Sequence, residues 1–201
     1  MNETIVIFAN SVKHGLHCVA GKSISNGAWV RLVADENGSA LNHEQAKYTN
    51  PYGRFTVKPL QKITMDLVQN VPLPHQPENH ISGDEWTQAY TIGSDSLRLY
   101  ADTPETLWGT ANRISQTDVI NQTVIIEQSL YLVNVENISF HRPDNKRRIS
   151  FSFNGHDYDL PSTDPNFDAL EAGTSTHNNY LCVSLGEDYQ GYHYKIIATI
   201  L

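Results

Sequence analysis

Two Asn-Gly pairs, Asn26-Gly27 and Asn154-Gly155, each lie between short runs rich in Val, Ile, Thr and aromatic residues. Asparagine and glycine tolerate the positive φ that the central positions of a tight hairpin require, so each pair joins two antiparallel strands and sets their register. The spacing predicts hairpins of residues 17–25 with 28–33 and of residues 147–153 with 156–160. A chain pinned in this way in both halves is committed to a β-rich fold.

Further strands follow from hydrophobic period. Residues 4–9, Thr4 followed by five apolar side chains, read as a buried opening strand. Within 55–71, Ile63, Met65 and Leu67 share one face while Lys62, Thr64 and Asp66 take the other, the alternation of a strand or strand pair with one wet side. Pro72, Pro74 and Pro77 end it and stiffen a polar loop, because proline donates no ladder hydrogen bond. Residues 129–140 predict another strand with Leu130, Leu132 and Val133 inward, and 179–201 supply two closing strands. A short helical turn is expected at 41–47, a turn or short helix at 164–168, and short helices at 84–90 and at 103–108, where Thr103 caps and Pro104 takes the first helical position. Roughly ten strands with two or three minor helices suit a barrel-like domain, or two five-stranded barrels of the OB type at about 100 residues each. The expectation is a mainly β protein of two fused OB-like barrels, 1–100 and 101–201, packed together without a flexible linker.

Charge narrows the partners. The net charge is −8; residues 1–100 carry 8 basic against 9 acidic side chains, and residues 101–201 carry 6 against 13. A protein that wraps duplex DNA nonspecifically is basic, because its affinity comes from neutralising phosphates, so this chain needs a local basic patch instead. No apolar run approaches the roughly 20 residues that span a bilayer, and Met1-Asn2-Glu3-Thr4 lacks the pattern of a signal peptide. A soluble, cytoplasmic protein with no membrane partner is expected. Cys18 and Cys182 are too few for a disulfide framework and form no CxxC pair, so both are read as small, partly buried thiols.

These segments carry a family resemblance. Lys13-His14-Gly15, His17-Cys18-Val19-Ala20-Gly21, Gly27-Ala28-Trp29-Val30-Arg31, His75-Gln76-Pro77-Glu78-Asn79, Thr163-Asp164-Pro165, and Ser184-Leu185-Gly186-Glu187 with Tyr194-Lys195 occur in an order that resembles the dual OB-containing domain family, prokaryotic proteins assigned to anti-phage conflict systems. Leu32 departs from the pattern, which has proline after the arginine. The resemblance spans nearly the whole chain and implies two OB-like units that bind or sense nucleic acid or nucleotides in defence, without established catalytic residues.

Three residue sets are candidates for that role. Lys13, His14 and His17 lie in or beside the turn after the first strand, and Arg31 comes from the following hairpin; convergent, they would supply donors for a phosphate or base edge. Gly15 and Gly21 flank them and permit close backbone approach, and Trp29 has a ring to stack or bury. Ser184 and Glu187, with Lys195 returning on the last strand, form a second set, in which Glu187 and Lys195 also suit a structural ion pair. The third is the one dense basic cluster, Arg142, Lys146, Arg147 and Arg148, as in a groove for single strands, although Phe151 and Phe153 share a face with Ile149 and read as core. His75 and His80 flank Glu78 in the proline-rich loop, but no metal-ligand motif is present, and no metal or cofactor is expected. Two other readings stay open: a nucleotide- or nucleic-acid-processing enzyme using His14, His17, Glu187 and Lys195, and a subunit of a defence complex whose acidic second half docks a protein partner.

Overall fold

The computed structural model describes all 201 residues, which divide into two compact units: Met1–Leu73 with Pro77–Tyr100, and Pro74–Gln76 with Ala101–Leu201. The first unit holds β1 (Asn2–Lys13), β2 (Leu16–Ser23), β3 (Trp29–Val33), β4 (Lys47–Asn50), β5 (Gly53–Thr56), β6 (Gln61–Asn70), β7 (Asn79–Ser82) and β8 (Thr87–Thr91). Its strands follow the order β1-β2-β3-β7-β6, and β6 pairs back onto β1, closing a ring of five. All neighbours in the ring are antiparallel except β3 and β7, the arrangement of an OB barrel. β8, β4 and β5 extend the sheet beyond it. Ile5, Ile7, Val19, Val30, Leu32, Ile63 and Met65 fill the interior, as the period of two requires.

The second unit holds β9 (Arg113–Ser115), α1 (Gln116–Ile120), β10 (Leu130–Asn134), β11 (Glu136–His141), β12 (Arg148–Phe153), β13 (His156–Pro161), α2 (Phe167–Glu171), β14 (Tyr180–Tyr189) and β15 (Tyr192–Ile200). Its two sheets run β11-β12-β13 and β10-β14-β15-β9. Val135 separates β10 from β11, so together they act as one bent first strand, and a parallel bridge from Ser162 to Ile197 joins β13 to β15. The order is therefore again that of an OB barrel, with α2 between the third and fourth strands. Ile149, Phe151, Phe153, Tyr158, Leu160, Val183 and Ile197 make its core.

Local turn chemistry explains the hairpins. Asn154 and Gly155 have φ of 49° and 76°, and His14-Gly15 and Gln190-Gly191 repeat that pair of left-handed residues in two-residue loops. At Asn26-Gly27 only Gly27 is left-handed, and the loop is longer, closed by Ser23 N–H to Ala28 O at 2.9 Å. Gly21 has a different reason: a Cβ there would overlap the Val6 carbonyl, so β1 and β2 approach closely only because the side chain is absent.

Several expected elements differ. Residues 103–108 form no helix, because Asn154 Nδ2 takes the carbonyls of Pro104 and Glu105 and the chain turns left-handed at Trp108 and Gly109. Most of 84–90 is extended: Thr87–Thr91 is β8, drawn into ladders with β6 and β4. The segment 41–47 is a single turn capped by the Asn42 side chain on Glu44 N and Gln45 N. Fifteen strands replace roughly ten: the expected strands over 55–71 and 129–140 break at Val57–Leu60 and at Val135, and the short strands β4, β7, β8 and β9 form where none was expected. No helix is long and apolar enough to cross a membrane.

Candidate functional site

OB barrels present ligands to the outer face of their second and third strands and to the loops after the first and fourth. In the first unit that face carries Lys22, Trp29 and Arg31, which alternate with the core residues, and all three are more than 90% buried. Phe8 meets Trp29 edge-on at 6.0 Å and Tyr100 at 5.3 Å, and Lys22 Nζ lies 5.2 Å from the Trp29 ring and donates to Tyr100 O at 2.8 Å. Arg31 Nε meets Glu78 Oε1 at 3.3 Å, a buried ion pair backed by Arg31 N–H to Glu78 O. Trp29 and Arg31 are thus interior groups rather than a docking surface.

The first candidate set does not converge. Lys13 and His14 are exposed at the β1–β2 turn. Arg31 pairs with Ala20, five residues along β2 from Gly15, roughly 16 Å at 3.3 Å per residue. His17 is buried, with Nδ1 2.8 Å from Asn10 Oδ1 and Nε2 3.2 Å from His43 Nδ1. Asn10 Nδ2 donates to Val57 O, which turns its oxygen to His17 and makes Nδ1 the protonated nitrogen. Burial first, then the neighbouring His43, lowers the His17 pKa below 6.5.

The second set separates as well. Glu187 is exposed beside a bulge between Leu185 and Asp188, whereas Lys195 is fully buried and donates to Gly109 O at 2.7 Å, so the expected ion pair is not formed. Ser184 is half-buried with Oγ directed to Leu185 O. His14 and His17 belong to the first unit and Glu187 and Lys195 to the second, with Lys195 sealed inside its barrel.

In the basic cluster, charge is balanced internally. Arg142 pairs with Asp168 and, at 2.6 Å, with Glu171; Arg147 reaches Asp168 at 2.7 Å; Arg148 reaches Asp159 at 2.8 Å. Lys146 alone is exposed without an ion pair. Hydrogen bonds from Arg142, then from Arg147, hold Asp168 below the usual carboxylate range despite some desolvation. Burial pushes Asp159 upward, but bonds from Arg148 and His141 outweigh it and leave its pKa lowered. Ser150, His141 and Asp159 have the composition of a catalytic triad, yet Ser150 Oγ and Asp159 Oδ1 both address His141 Nε2, so no proton relay runs across the ring. His75 stacks on His193 at 4.4 Å, His80 Nδ1 bonds Glu78 O, and no group of three potential ligands is placed to hold a metal.

An unforeseen set does assemble. A groove of about 340 Å³ in the second unit is lined by Ala111, Asn112, Arg113, Arg148, Pro161 and Tyr194. Arg113 is exposed, makes no ion pair, and lies with its guanidinium 3.8 Å from the centre of the Tyr192 ring and 5.7 Å from that of Tyr194. Its Nη1 donates to Tyr194 Oη at 2.9 Å. Tyr189 stands 6.2 Å from Tyr194 and is 62% exposed at the β14–β15 turn, the loop after the fourth strand of this barrel. The strand alternation Tyr192-His193-Tyr194-Lys195 puts both tyrosines outward and His193 and Lys195 inward, a signal readable in the sequence. Arg113 was not readable, because it arrives on a three-residue strand 81 residues earlier.

No curated protein matches the chain. A solved structure described as the tetrameric p202 HIN2 is similar at a TM-score of 0.30 and 10% identity, over 99% of this chain and 88% of that one. The family model described as a dual OB-containing domain matches residues 3–200, in agreement with the two OB-like barrels of the fold. The chain belongs to the dual OB-containing domain family.

Proposed function

We propose that this protein binds single-stranded nucleic acid or a nucleotide-type ligand at the groove of its second barrel. The observation that carries the reading is Arg113, an arginine without a carboxylate partner held over the Tyr192 ring, beside Tyr194 and the exposed Tyr189. Aromatic faces stack bases of any sequence, and arginine adds a phosphate contact and a cation–π term. Arg148 on the groove wall is already tied to Asp159, so it contributes a weaker field. With one or two cations in play the salt dependence is shallow, a log–log slope of about −0.7 per phosphate contact. The acidic surroundings oppose long nucleic acids and favour a short segment or a single nucleotide.

Fluorescence anisotropy with a labelled single-stranded oligonucleotide tests this at low salt, and competition by free nucleotides separates the two ligand forms. Arg113→Ala and Tyr192→Ala are each expected to weaken binding by about tenfold or more. Equal binding by these variants, or none by the natural protein, refutes the reading. We further propose that this binding operates in anti-phage defence, as the family resemblance implies. Phage plating on cells carrying the natural gene or the Arg113→Ala gene, in its own neighbourhood, tests that part separately.

A further inference from the structure

Lys195 is fully buried in the second barrel and makes no ion pair. An aliphatic side chain would fill the position without desolvating an amine, so filling space does not account for it. What the amine adds is its 2.7 Å hydrogen bond to the Gly109 carbonyl, with a cation–π approach of 5.6 Å to the centre of the Tyr158 ring beside it.

That carbonyl is the pin of a strap. Residues 106–112 have neither helix nor strand, and they are bonded to both β13 and β15, whose own pairing is the single bridge at Ser162–Ile197. Trp108 and Gly109 take φ of 52° and 84°, two left-handed residues in succession, the first unfavourable for a tryptophan. The Gly109 carbonyl accepts from Lys195 Nζ and, at 3.3 Å, from Tyr158 Oη, which in turn accepts Leu107 N–H at 3.2 Å. The backbone N–H of Lys195 holds Asn112 O at 3.0 Å. At the next residue the strap enters β9 as Arg113, the cation stacked on Tyr192.

We propose that Lys195 is a positioning residue for the groove: its hold on the Gly109 carbonyl fixes the strap so that Arg113 is presented over the Tyr192 ring. The inference rests on the groove being the ligand site, and its test reads the strap independently of any ligand. In full-length Lys195→Met, hydrogen exchange of the amides of residues 106–113 is expected to rise about tenfold, while β10 and β14 keep their protection. Affinity for the labelled oligonucleotide is expected to fall about tenfold although the fold is not weakened, a divergence that a merely structural lysine does not produce. Tyr158→Phe, which removes the second donor to the same carbonyl, is expected to act in the same direction and serves if methionine is not accommodated. Arg113→Ala is expected to lose affinity with strap exchange unchanged. Wild-type strap exchange in Lys195→Met and Tyr158→Phe overturns the inference, as does wild-type affinity with a loosened strap. If the natural protein binds no oligonucleotide or nucleotide, the groove reading fails, and the positioning role of Lys195 fails with it even where exchange reveals a pinned strap.

Discussion

Replacing Lys195 by methionine is expected to make the protein more stable. Burial pulls the Lys195 pKa down from 10.5 to about 8. At about 1.4 kcal/mol per pKa unit, keeping this ammonium charged inside the barrel near neutral pH costs about 3 kcal/mol relative to the unfolded chain. The folded pKa lies below the unfolded one, so between about pH 8 and about pH 10.5 the unfolded chain holds more protons and stability rises with pH; below that window the cost is present in full. Methionine has similar length and no charge, and Gly109 O keeps the Tyr158 hydroxyl. Setting about 1 kcal/mol for the lost hydrogen bond against the relieved desolvation leaves a net gain of about 2 kcal/mol near pH 7. For a chain of this size that raises the melting temperature by about 4–8 °C. Urea titrations of both proteins near pH 7 and near pH 9.5 are expected to show their difference shrinking by about 2 kcal/mol, because the natural protein gains what methionine already has. A difference independent of pH, or a less stable Lys195→Met at neutral pH, would refute the argument.

Other perturbations have distinct signatures. Gly21→Ala forces a methyl group into the Val6 carbonyl and must part β1 from β2; with two ladder bonds and neighbouring packing disturbed, a loss of about 3 kcal/mol is expected in urea denaturation. His17 has a lowered pKa, so the unfolded chain takes up a proton first as pH falls below 6.5, and stability declines from there down to the folded pKa. His17→Gln is expected to flatten that slope in melts collected between about pH 7 and about pH 5. Asp164 is buried and accepts Asn166 N–H at 2.7 Å and Ile200 N–H at 2.6 Å on its two oxygens. Asp164→Asn turns one acceptor into a donor, leaves one amide unpaired, and is expected to cost about 1–3 kcal/mol by thermal denaturation.

The sequence by itself determined the β class, the barrel interiors and the hairpins whose conformation is set within a few residues. Asn154-Gly155 takes two left-handed positions at little cost, and Ile149, Phe151 and Phe153 alternate into one core because side chains on a strand repeat every two residues. Only the tertiary structure decided what covers a strand's other side and where each charge finds its partner. Trp29 and Arg31 point out of their barrel and are buried all the same, and Arg142 and Arg147 are matched by acids on α2 more than twenty residues away. Arg113 became the exposed cation of the groove because a short strand brings it to Tyr192 and Tyr194, with no carboxylate within reach. Turn geometry and side-chain period are local properties of the chain, whereas desolvation and Coulomb pairing depend on what folding brings within a few ångströms, so the proposed binding surface was decided at that level.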